Sequence, residues 1–179
     1  LSKFHYRMTT TEYLEKKFGP HKGNPHKLEG FLRDDMYKLF SELGFKRGAE
    51  IGVRTGIFSE ILCTYVKSLE KLYSIDPWNE VFEDPTSKYY HKKYGPNIFN
   101  KIYRQAQRRL RKYPICEMIK KTSLEAVRDF EYESLDFVYI DGGHTFDYVM
   151  TDIIEWAKRV KKGGIVAGIR YSQGIVRAG

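Results

Sequence analysis

Residues 49–56 read Ala49-Glu50-Ile51-Gly52-Val53-Arg54-Thr55-Gly56, and twenty residues beyond Gly56 stands Asp76, in Leu72-Tyr73-Ser74-Ile75-Asp76-Pro77-Trp78. An apolar strand ending in a glycine turn, then a helix, then a strand ending in an acid, are the parts of a parallel α/β sheet that holds a nucleoside. Glycines let the backbone approach a ligand closely, and the strand-end acid accepts hydrogen bonds from two ribose hydroxyls. The spacing is not that of a dinucleotide site. G-x-G-x-x-G would supply three glycines, whereas the turn holds only Gly52 and Gly56, preceded by Glu50. A nucleoside without phosphates is therefore the expected ligand.

Outward from this stretch the chain alternates strand and helix. Apolar residues at Leu28, Phe31, Leu32, Met36, Leu39, Phe40 and Leu43 recur at intervals of three and four, which predicts a helix over 28–43 with Gly44 at its C′ position. A shorter helix is predicted over 9–18, capped by Thr10 or Thr11. Strands are predicted at 47–53, 71–75, 115–119, 135–140 and 165–169. Helices are predicted at 59–68, with Ile61, Leu62, Tyr65 and Val66 inward, and at 98–113. A short helix capped by Ser123 and another over 146–160 complete the set. Residues 77–97, with Pro77, Pro85, Gly95 and Pro96, read as an irregular insertion of the kind that forms a lid or substrate loop. The expected fold is α/β, a Rossmann-like, doubly wound, mostly parallel sheet. An N-terminal helical segment (1–45) precedes the sheet domain (46–179), whose insertion spans about 77–113. Residues 172–179 look too short for the last two strands of such a sheet, so the fifth strand is expected to present a bare edge, which implies a truncated chain, an edge covered by a partner such as a second copy, or a minimal variant of the fold.

A length of 179 residues suits one domain, and 41% hydrophobic with 15% aromatic residues excludes wholesale disorder. No apolar run approaches the ~20 residues that span a bilayer, so no membrane partner is expected. The first residues lack the apolar core of a secretory signal. Cys63, in a predicted helix, and Cys116, in a predicted strand, lie in apolar surroundings; two unpaired thiols point to a reducing cytoplasm. The formal charge of +8 is lopsided. From Lys88 to Cys116 there are nine Lys or Arg and no Asp or Glu. Such a stretch can meet RNA, a nucleotide-linked sugar or anionic lipid, or it can be a solvated helix face. The sequence shows no Cys-x-x-Cys zinc spacing, and no metal ligands are assigned.

Four polar clusters fall at predicted carboxyl ends of strands: Glu50 to Gly56, Asp76, Thr122-Ser123 and Asp141 to His144. Together they resemble class I S-adenosylmethionine-dependent methyltransferases, and within them the methyltransferase-24 type branch. The resemblance covers about residues 46–168. It rests on Glu50-Ile51-Gly52-Val53-Arg54-Thr55-Gly56, on Ile75-Asp76-Pro77-Trp78, and on Tyr139-Ile140-Asp141-Gly142-Gly143-His144 followed by Asp152 and Gly163-Gly164. It implies S-adenosylmethionine as cofactor. Glu50 and the turn of Gly52, Val53, Thr55 and Gly56 would lie against its methionine part, and Ser59 would hydrogen-bond its carboxylate. Asp76 would hold the ribose, Trp78 would flank the adenine, and Thr122 and Ser123 would lie at the adenine edge. Asp141 would face the cofactor amine or the reacting centre, and His144 would act as general base.

The chain departs from the resemblance where metal-dependent O-methyltransferases carry a fifth-strand acid. It reads Gly168-Ile169-Arg170-Tyr171, and an arginine there speaks against Mg²⁺. Three functions follow as expectations. The first is O-methylation of a small or sugar-like acceptor, which the anionic-partner reading would make a charged one. The second is methylation of RNA or its cap, using the basic 88–113 segment to hold nucleic acid. The third is a non-catalytic binding or structural module.

Overall fold

The computed structural model describes residues 8–20, 26–27, 32–79, 89, 92–95, 97–143, 145–168 and 174–177. The expected helix over 9–18 is α1 (Thr10–Phe18). Its cap is Thr9, in a reciprocal capping box with Glu12, and not Thr10 or Thr11. Thr10 instead donates its hydroxyl to the Gly163 carbonyl, tying α1 to residues late in the chain. The predicted 28–43 helix is described from residue 32 onward: a 3-10 turn (Arg33–Asp35) runs into α2 (Met36–Glu42), and Gly44 follows at φ +67°.

The parallel sheet is built from β2 (Arg47–Ile51), β3 (Lys71–Ile75), β4 (Cys116–Ile119), β5 (Leu135–Ile140) and β6 (Val160–Gly168). Two short strands, β1 (His26–Lys27) and β7 (Gly174–Arg177), complete the order β1-β7-β6-β5-β2-β3-β4. The crossovers carry α3 (Ile57–Tyr65), α4 (Ile98–Leu110), α5 (Ser123–Ala126) and α6 (Phe146–Ala157). The sheet is Rossmann-like, mostly parallel and doubly wound, as expected. The bare fifth-strand edge is not found. β7 pairs antiparallel with β6, setting Val166 opposite Val176, and so protects that edge within the chain. Gly163 and Gly164, expected to lead into the fifth strand, lie inside β6.

Period-two alternation along the strands divides the core into two layers. Phe137, Tyr139, Ile165 and Leu72 face Leu14, Leu39, Phe40, Phe58 and Leu62, so α1, α2 and α3 cover one side. Val138, Ile140, Ala49, Ile51 and Val166 face Ala126 and Trp156, so α5 and α6 cover the other. A third cluster joins Val53 and Trp78 to Ala106 and Leu110 of α4, the apolar line predicted for that helix. On α3 the buried face is Phe58, Ser59, Leu62 and Val66; Tyr65, expected inward, is 51% exposed. Asp136, the one polar residue predicted in β5, receives the backbone N–H groups of Lys46 (2.7 Å) and Arg47 (2.8 Å) and thereby seats the start of β2.

Phe137 stacks on Phe40 with ring centroids 4.0 Å apart and sits directly over Gly48. A Cβ at Gly48 would fall 2.1 Å from the Phe137 ring. Gly48→Ala is accordingly expected to cost about 1–3 kcal/mol of stability through overpacking. Chemical denaturation measures it, and an unchanged midpoint would contradict the packing described.

Candidate functional site

The carboxyl ends of β2 and β5 lie side by side. Asp141 donates its N–H to the Ile51 carbonyl (2.7 Å), and Gly52 donates to the Ile75 carbonyl (2.9 Å). The loop after β2 then turns sharply, with Gly52 at φ +91° and Arg54 at φ +52°. Asp76, at the end of β3, holds that turn. Its carboxylate accepts the N–H of Arg54 (2.8 Å) and of Trp78 (2.7 Å). Burial pushes its pKa above the ordinary carboxylate value, against the pull of the backbone amides that face it. A carboxylate offers about four acceptor sites, so Asp76 keeps acceptor capacity beyond these two amides.

Trp78 is placed differently from the sequence reading. It is 2% exposed, packs on Tyr103 of α4 at 5.0 Å, and donates Nε1–H to the Arg54 carbonyl (2.8 Å). Its ring is therefore committed to closing the loop against α4 and presents no open face to an adenine. Gly56 serves the same packing, since a Cβ there would meet Leu110 at 3.1 Å.

Beneath the turn lies a buried polar chain. Glu50 is 2% exposed and accepts a hydrogen bond from Ser59. The Ser59 hydroxyl lies 2.8 Å from that of Ser74, which lies 3.2 Å from the Cys116 thiol. Both cysteines are free thiols. Burial pushes the Glu50 carboxyl up to about 8; the charge of Asp141 adds to the shift, while the Ser59 hydrogen bond and the Arg33 charge oppose it. Ser59 is fully buried and bonded within this chain, so the sequence reading that it meets a ligand carboxylate is corrected.

At the end of β5, Asp141 is half-buried, and Arg33 approaches it from the N-terminal segment with Nη1 3.8 Å from Oδ2. The guanidinium also lies over the Phe58 ring, 5.5 Å from its centroid. Nothing in the sequence pattern marks Arg33. Behind the same turn, Asp152 of α6 is 3% exposed and accepts a hydrogen bond from Ser123, which in turn receives Trp156 Nε1–H at 2.8 Å. Burial pushes Asp152 up to about 6, against the Ser123 bond. Its Oδ2 lies 3.8 Å from where a Cβ on Gly142 would stand, so this carboxyl lies beside the Asp141-Gly142 turn. The expected Ser123 cap is in fact Thr122, in a capping box with Glu125. Thr122 and Ser123 thus have structural partners at the strand-end edge where the sequence set them.

The structure brings Glu50, the 52–56 turn, Asp76 and Asp141 to one edge of one sheet, and adds Arg33 and Asp152 to them. His144 and Arg170 lie outside the described residues. Among the described residues no group of three or more His, Cys, Asp or Glu side chains gathers to hold a metal ion.

Comparison with known proteins agrees with this geometry. A family model described as a methyltransferase domain, of the methyltransferase-24 type, matches residues 49–168. The uncharacterized protein y4gI of Sinorhizobium fredii (strain NBRC 101917 / NGR234) is 24% identical over 152 residues, covering 82% of this chain and 15% of that protein. The O-methyltransferase TomG of Streptomyces achromogenes, involved in tomaymycin synthesis and solved with SAM, is 16% identical with a TM-score of 0.55. The alignment covers 76% of this chain and 53% of TomG. An O-methyltransferase of Bacillus cereus in complex with SAH is 14% identical with a TM-score of 0.56, over 93% of this chain and 68% of that one. At these identities the solved structures establish the fold. The chain spans 15% of the curated relative's length and about half of TomG. The family match runs through each strand-end cluster, from Glu50 to Asp141 and on to the end of β6 at Gly168, and the chain belongs to the methyltransferase-domain family.

Proposed function

We propose that this chain is an S-adenosylmethionine-dependent methyltransferase that methylates an oxygen of a small acceptor, sugar-like or anionic. The observation that supports it best is the gathering of Glu50, Asp141 and Arg33 beside a turn that Asp76 holds in place. The donor set fits such a cofactor. Asp76 keeps an acceptor site for a ribose hydroxyl, and the acids and the cation at the other end of the turn suit an amino-acid group.

When bound, the cofactor supplies a methyl group already activated for attack. The protein's part is then alignment and removal of the acceptor proton. We assign the proton to His144, which follows Asp141-Gly142-Gly143 in the sequence. An imidazole titrates in the range that task needs. An oxygen acceptor is favoured because a hydroxyl becomes a good nucleophile only as a base takes its proton, whereas a neutral amine attacks through its lone pair. The two free thiols fit a reducing, cytoplasmic setting. No helix of the described residues is long and apolar enough to cross a membrane.

The test is calorimetry with S-adenosylhomocysteine on the full chain. Binding is expected, and Asp76→Ala is expected to weaken it at least about tenfold, or ~1.4 kcal/mol, because the acid both meets the ribose and holds the turn. Failure of the unaltered chain to bind would remove the proposal. Affinity unchanged in Asp76→Ala would remove the role given to Asp76.

A second reading draws on α4, where Lys101, Arg104, Arg108 and Arg111 are exposed. Arg109 and Lys112 of the same segment are ion-paired with Glu60. If the exposed set contacts RNA, binding of a single-stranded oligonucleotide should fall steeply with salt. Absence of such binding at low salt would leave that face solvated.

A further inference from the structure

α6 turns Trp156 and Ile153 to the sheet and Asp152 to Ser123 of α5. Its outer face is apolar as well. Phe146, Met150 and Ile154 are 63%, 36% and 52% exposed and recur every four residues. On a helix that spacing makes one ridge whose successive members lie about 40° apart around the axis. Leu124 of the neighbouring α5 is exposed too. Apolar residues scattered singly over a surface need no explanation, whereas a contiguous row of them marks an interaction site.

The charges beside the ridge point to what covers it. Asp147 and Lys158 lie on one flank, about three turns apart along the axis and only about 20° apart around it. Asp147 is exposed and makes no ion pair among the described residues. Lys158 is 44% exposed and binds Glu155 (2.6 Å), with donors to spare. A two-fold axis across the ridge turns a second copy of α6 antiparallel to the first and sets each flank against the same flank of its partner. Met150 then meets the partner's Ile154, Phe146 the partner's Ala157, and Asp147 the partner's Lys158. The apolar pairs and the charged pair thus call for the same register to within one residue. A parallel arrangement would set Asp147 level with the partner's Asp147 and repel. Ridges of four-residue spacing on both helices interdigitate in the commonest class of helix packing. Pairing through the β6 edge is closed, because β7 covers it.

We propose that the protein is a homodimer in solution, closed by two α6 helices packed antiparallel about a two-fold axis. Burial of Phe146, Met150 and Ile154 drives association by taking apolar surface out of water. The two Asp147–Lys158 pairs, one on each side of the axis, fix the antiparallel register. The inference stands apart from the methyltransferase reading, since its test needs no cofactor.

Sedimentation velocity on the full chain, from ~1 μM to ~1 mM, tests this. One pair of helices with its flanks lies at the small end of the range of interface sizes, so a dimer that dissociates in the micromolar range is expected. Ile154→Glu sets two like charges at the centre of the interface and should weaken association at least about tenfold. The position is exposed, so circular dichroism should show a folded monomer. Asp147→Lys and Lys158→Asp should each weaken association about tenfold, because symmetry doubles every repulsion. The two substitutions together restore opposite charges across the axis, and association should return to within about threefold of the unaltered chain. A merely weakened helix would not recover in this way. A chain still monomeric at ~1 mM overturns the proposal and leaves the face to a different protein. A dimer that Ile154→Glu leaves intact overturns it too, and a dimer that the double exchange fails to restore overturns the antiparallel pairing.

Discussion

Gly52→Ala is expected to cost more than about 3 kcal/mol and to abolish S-adenosylhomocysteine binding in whatever fraction still folds. Two effects add. The residue sits at φ +91°, where an L side chain is strained. Its added Cβ would stand 2.2 Å from the Asp141 carbonyl oxygen and 2.7 Å from Gly142 Cα. These are backbone atoms, which no rotamer change can remove. They are also pinned, since Asp141 donates to Ile51 at 2.7 Å and Gly52 donates to Ile75 at 2.9 Å. Relief therefore requires the ends of β2 and β5 to part, and that parting carries Glu50 away from Asp141. A loss of about 3 kcal/mol lowers the melting temperature of a domain this size by at least about 6 °C. Gly56→Ala is the control. Its φ of +77° carries similar strain, but its Cβ would meet the Leu110 side chain at 3.1 Å and Ala106 Cα at 3.5 Å, with no backbone atom as close as those facing Gly52, so its loss should be smaller. A Gly52→Ala protein that melts with the unaltered chain would show that the two loops are not packed as described.

The parts of this site that were legible in the sequence are those set by chain direction and local chemistry. Acids at strand ends, as at Glu50, Asp76 and Asp141, project toward the carboxyl edge whatever the helices do, and the register of β2 with β3 and β5 then aligns them. The caps are legible too, one residue before the expected positions. Thr9-x-x-Glu12 and Thr122-x-x-Glu125 carry the capping-box signature, which points to Thr9 and Thr122. What the sequence did not disclose depends on which helix covers which strand. Ser59 looks like a ligand-facing residue of a helix start until Ser74 of the neighbouring strand is known to lie 2.8 Å from it. Trp78 looks exposed in an irregular insertion until α4 closes over it. Arg33 reaches the site only because α2 packs on Phe137 through Phe40. The four residues of β7 have too little pattern to be recognised alone; their partner β6 makes them a strand.

Glu50→Gln is expected to stabilise the ligand-free protein above pH 8 by about 5 kcal/mol relative to the unaltered chain, and to leave it within ~1 kcal/mol below pH 4.5. Glu50 is buried, and its carboxyl is pushed from the ordinary 4.5 to about 8. Between those values the folded state holds a proton that the unfolded state has released. Stability must then fall as pH rises, because a folded state that binds more protons is favoured at low pH. The contribution is complete below 4.5 and is gone once pH passes about 8. Every tenfold difference in proton affinity between the folded and unfolded states corresponds to about 1.4 kcal/mol, which gives the stated figure. The amide of glutamine resembles the neutral acid and can still accept the Ser59 hydrogen bond, so the variant should lack this slope. Asp152, pushed up to about 6, and Asp76 also titrate on folding, but they do so in both proteins, and the difference between the two curves isolates Glu50. Urea unfolding at intervals from pH 5 to 9 measures it, and parallel curves would refute it. The slope has a functional counterpart. Asp141 disfavours the Glu50 charge and Arg33 favours it, so an arriving ammonium group would draw the proton from Glu50. Affinity for S-adenosylhomocysteine should accordingly rise as pH approaches 8, over the range in which the empty protein loses stability, and Glu50→Gln should abolish both trends together.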